Sequence, residues 1–233
     1  DLIAANERAH TSAQPGLLGS HLKRNTVSTA VIAFGEWPQG MAPPSTAVLM
    51  DESGTVDLLY TVEPTEMTPF GKRLDRAEVR GVLDEVVEAR QVVLLDLTGV
   101  GPPARVDELI GDAASLVAER HGRLIALPPL APPFERPEQM ALGFIVWWDP
   151  HHPIAGLLTS PSTRWVGMVS PADIAPTVLF AGHNLWSATA RGGGPTVEGM
   201  SGRAMRVVAS GSAPDELDRL DAMIGERYRL ERT

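Results

Sequence analysis

The sequence predicts an α/β fold, a mainly parallel and twisted sheet flanked by helices with a small hairpin or insertion. Three observations predict it. Apolar runs of strand length alternate with stretches of helical periodicity along the chain, the order that crossover connections and a parallel sheet require. One of those runs, Gln91 to Leu97, is almost continuously apolar, as a central strand covered by helices on both faces must be. The 233 residues, 43% hydrophobic and 21% charged, have the size and apolar fraction to bury a large core. A single domain over residues 1–233 is the expected organisation.

The elements follow in order. Pro15-Gly16 opens a stretch in which Leu17, Leu18, His21 and Leu22 recur at helical spacing, with proline in the first turn. Val27 to Phe34 reads as a buried strand. Thr46 to Met50 and Thr55 to Tyr60, separated by Glu52-Ser53-Gly54, read as a β-hairpin at a sheet edge or in an insertion. Asp75 to Arg90 places Val79, Val82, Leu83, Val86 and Val87 on one helical stripe. After the strand Gln91 to Leu97, the Gly-Pro-Pro turn at 101 to 103 leads to a helix from Ala104 to His121, ended by Gly122 before the strand Arg123 to Leu127. A proline-rich loop occupies Pro128 to Pro137. Ala141 to Trp148 reads as a further strand, with shorter extended pieces at Leu157 to Thr159 and Val166 to Val169. Ser170-Pro171 starts a helix through Leu179, Gly182 to Pro195 is a glycine-rich loop, and Asp215 to Leu230 is the last helix.

Charge and composition exclude several function classes. A formal net charge of −9 opposes nucleic-acid binding, because a phosphate-binding surface needs the opposite field. Without cysteine there are no disulfides, thiolate metal sites or cysteine nucleophiles, and the compartment stays open. No apolar run reaches the roughly 18 to 20 residues that span a bilayer. Residues Asp1 to His10 lack the basic-then-apolar order of a signal peptide. A start without methionine is expected of a fragment of a longer protein, with an extracytoplasmic domain of a membrane-anchored parent as one form it would take.

Two stretches carry a family resemblance. Pro15 to Trp37 (PGLLGSHLKRNTVSTAVIAFGEW) resembles the helix-to-strand segment of sulfatases and phosphatases of the alkaline-phosphatase superfamily. Leu157 to Leu179 (LLTSPSTRWVGMVSPADIAPTVL) is closer still to that superfamily's late D-I-x-P-T segment, and Gly199 to Arg203 resembles the turn that follows it. The resemblance, which includes cofactor-independent phosphoglycerate mutases, implies an alkaline-phosphatase-like α/β fold. It also implies a Ser or Thr nucleophile and divalent metals held by Asp and His. No position here carries over the nucleophile, which in the family follows an upstream N-terminal strand. Where the family has an Asp-His-Gly triplet after a strand, this chain has Leu127-Pro128-Pro129-Leu130, whose side chains cannot ligate metal.

The candidate site residues are therefore few. Asp96, with Thr98, stands at the carboxyl end of a strand, where open α/β sheets place ligands, and is a candidate for a hard cation as well as for a turn-capping carboxylate. Asp149-Pro150-His151-His152 gathers ligand types in a loop after Trp147-Trp148, so His151 and His152 are metal candidates beside the alternative of solvated loop histidines. Asp173, three residues after Ser170, fits a capping box. Gly192-Gly193-Gly194 lacks the preceding strand and following lysine of a phosphate cradle. Ser20-His21 and Ser201 have no identifiable base and orienter. Trp147, Trp148, Trp165 and Trp186 suit either a binding surface or the core.

Two functions follow as expectations. One is a catalytically degenerate, alkaline-phosphatase-like domain that binds or scaffolds, with no cofactor. The alternative is a metal-dependent phosphoester or sulfoester hydrolase or phosphomutase using zinc, manganese or magnesium. A Rossmann-like small-molecule binder is a third, weakened because no G-x-G-x-x-G follows a predicted strand.

Overall fold

The computed structural model describes residues 14–35, 37, 41–68, 71–98, 100, 103–127, 145–153, 155–163, 165–181 and 197–210. The chain forms two compact units, dividing between Phe144 and Ile145. It is mixed α/β.

The first unit is organised by a three-stranded, all-parallel sheet. Strand β1 (Thr29–Phe34) lies between β2 (Leu59–Val62) and β5 (Val92–Asp96). In register, Val31 faces Leu59 on one side and Leu94 on the other, and Ala33 faces Asp96. Every residue of β1 is buried, as a strand sheathed on both faces should be. On one face Ala30, Ile32 and Phe34 pack with Val79, Val82, Leu83 and Val86 of helix α3 (Arg76–Ala89) and with Leu109 and Leu116 of α4 (Pro103–Glu119). Thr29, Val31 and Ala33 point the other way and are also buried. Helix α2 (Thr46–Leu49), which packs against β1, and α1 (Leu17–Arg24), which packs against α2, supply their cover.

Local chemistry sets the ends of these elements. The Asp75 carboxylate accepts from the Ala77 and Glu78 backbone N–H groups and caps α3. Helix α4 begins on Pro103 and ends at Glu119, two residues before His121, whose φ of 55° is left-handed, while the Gly122 N–H reaches back to the Val117 carbonyl. The left-handed position expected of Gly122 thus falls one residue earlier. Arg76 of α3 donates to Asp112 of α4 at 2.9 and 3.1 Å. Beyond α4 comes the short strand β6 (Leu124–Ala126).

The hairpin expected at Thr46 to Tyr60 does not form. Thr46–Leu49 is a single helical turn, started by Pro43 and Pro44, whose fixed φ suits a helical start and whose carbonyls accept from the Thr46 and Ala47 N–H groups. Leu59–Val62 then pairs with β1 in parallel. An antiparallel ribbon occurs instead at β3 (Glu66–Thr68) and β4 (Gly71–Arg73), with Met67 opposite Lys72.

In the second unit, β7 (Val146–Trp148) is followed by β8 (Gly156–Thr159), which pairs antiparallel with β9 (Arg206–Ala209). A 3-10 turn at Pro171–Asp173 runs into helix α5 (Ile174–Phe180). The extended piece expected at Val166 to Val169 is a turn, closed by the Met168 N–H on the Trp165 carbonyl with Gly167 at φ 86°. The expected loops Pro128 to Pro137 and Gly182 to Pro195, the start of the strand from Ala141 and the helix Asp215 to Leu230 lie outside the described residues.

Candidate functional site

The sheet order β2-β1-β5 means that the chain leaves β1 for one neighbour and then crosses back to the other. Such a reversal marks the carboxyl ends of the two strands on either side of it, here β1 and β5, as the place where open α/β sheets receive ligands. Asp96 ends β5 there. Its Oδ1 accepts the Thr98 N–H at 3.0 Å and the Thr98 hydroxyl at 2.5 Å. Burial pushes this carboxyl up, but the hydroxyl and N–H of Thr98, with the nearby Ser45 hydroxyl, bring it below its ordinary value. Both hydrogen bonds from Thr98 fall on Oδ1.

Two residues that sequence reasoning passed over belong to this end of the sheet. Trp37 lies three residues past the end of β1, and its indole Nε1 is buried without a hydrogen-bond partner. Ser45, immediately before α2, has a buried hydroxyl that reaches Asp96 and helps to hold its carboxyl down. Nε of Arg90, buried without a hydrogen-bond partner like Trp37 Nε1, is at the opposite end of the sheet. Position in a strand-end loop was the available signal for Trp37, whereas Ser45 carried none, being brought in by the turn that replaces the expected hairpin.

The amino end of the sheet is stitched together. The Asp57 carboxylate accepts from the N–H and hydroxyl of Thr29, and the Ser28 N–H donates to the Gln91 side chain at 3.0 Å. A second group that the sequence did not single out, Asp51, holds the loop before β2. It accepts from Lys23 Nζ at 2.5 Å and from the N–H and hydroxyl groups of Ser53 and Thr55. Lys23, then these donors, hold its carboxyl well below the usual carboxylate range. The Ser20 hydroxyl of the Ser20-His21 pair accepts the Glu52 N–H at 2.9 Å and so docks α1 on the same loop.

In the second unit the Asp149 carboxylate accepts the backbone N–H groups of His151 and His152 at 3.1 and 3.0 Å, and His152 Nδ1 lies 3.4 Å from its other oxygen. Asp149, His151 and His152 therefore come together as an Asx turn, in which the two histidines are exposed and the carboxylate is largely covered. Among the described residues, no group of three His, Asp or Glu side chains is arranged to hold a metal. Asp173, fully buried, closes the expected capping box with Ser170. Its carboxylate accepts from the Ser170 N–H at 2.8 Å, the Ser162 hydroxyl at 2.5 Å and the Arg203 N–H at 2.9 Å. Four residues on, the buried Thr177 donates to the Asp173 carbonyl and accepts the Met205 N–H. Trp147 and Trp148 are half-buried and Trp165 is exposed, while Trp186 and Gly192 to Gly194 fall outside the described residues.

The chain matches no protein-family model, no curated protein and no solved structure. Among the described residues, no helix is long and apolar enough to cross a membrane.

Proposed function

We propose that the chain is a catalytically degenerate, alkaline-phosphatase-like domain that acts as a binding or scaffolding module. The observation that carries it is Asp173. It stands in the segment most similar to the superfamily, and its carboxylate is engaged by three donors from three parts of the second unit. Asp96 and Asp149 likewise accept hydrogen bonds from their own turns. Leu127, which opens the stretch where the family has its ligand triplet, follows β6 as an exposed apolar residue. A carboxylate at the carboxyl end of a parallel sheet supports ligand binding in the absence of a nucleophile.

Elemental analysis of the purified full chain, paired with p-nitrophenyl phosphate hydrolysis with and without zinc, manganese or magnesium, tests the proposal. Sub-stoichiometric metal and no metal-dependent turnover are expected. Stoichiometric bound metal with chelator-sensitive hydrolysis would overturn it in favour of the hydrolase or phosphomutase.

A further inference from the structure

We draw no further inference here: the strongest candidate, the outer edge of strand β5 (Val92–Asp96), largely apolar and paired with β1 alone among the described residues, carries nothing, because nothing in the structure shows what covers it.

Discussion

Replacing Asp173 should separate its structural role from any catalytic one. In Asp173→Ala, the Ser162 hydroxyl and the Ser170 and Arg203 N–H groups all lose their acceptor. A hydrogen bond to a charged group contributes about 1.5 to 3 kcal/mol. Ser162 and Arg203 are exposed enough for water to replace part of this, so the expected loss is about 3 to 5 kcal/mol rather than the full sum. Asp173→Asn keeps an acceptor for the two donors on Oδ1 but turns an NH2 group towards the Ser170 N–H. It should cost roughly half as much. Urea unfolding followed by far-UV circular dichroism reads the difference as a shift in midpoint at unchanged slope. Thermal midpoints should fall on the order of 10 °C for the alanine variant. A loss below about 1 kcal/mol for Asp173→Ala, or equal losses for both variants, would refute the three-donor account.

Asp51 sets an acid limit. Its folded-state ionisation is displaced downward, so its contribution is fully present above its unfolded value near about 3.9 and is lost as pH falls below that. Asp51→Asn should flatten the acid limb of melting temperature against pH below about pH 4, and an unchanged limb would contradict this. Two glycines should respond with opposite signs to alanine. A Cβ at Gly19 would come 2.2 Å from the Met50 carbonyl oxygen and 2.4 Å from that of Leu49, so Gly19→Ala should destabilise by at least about 2 kcal/mol in urea. At Gly81, inside α3, a Cβ meets nothing within 4 Å, and Gly81→Ala should stabilise by about 0.5 to 1 kcal/mol in the same measurement. Dialysis against EDTA should leave the melting temperature unchanged, and a fall reversed by zinc, manganese or magnesium would show a structural metal.

Helices α1, α3 and α4 and strands β1 and β5 were legible because each is long enough for its hydrophobic period to speak. Val79, Val82, Leu83 and Val86 occur at helical spacing, and all four are buried in α3. The capping box of Ser170 and Asp173 was legible as well, since its partners are three residues apart. Thr46–Leu49 misled because Thr46 and Val48 favour strands, four residues carry no period, and two prolines upstream started a turn. The direction of Leu59–Val62 was equally hidden: a short apolar strand does not declare whether its neighbour runs with it or against it.

The candidate site divides the same way. Sequence alone determined an α/β chain with an anionic surface field, and it marked Asp96, His151 and His152 as ligand types at strand ends and in a loop. Those properties depend on composition and on neighbours within a turn or two. Tertiary structure decided that β1 would lie between β2 and β5, and so between which strands the sheet order reverses. It also gathered the donors of Asp173 from 11 residues before it and 30 after, and brought the Ser45 hydroxyl to Asp96. Contacts between distant segments are set by how layers pack, and the identity of a residue carries no mark of the one it will meet across that distance.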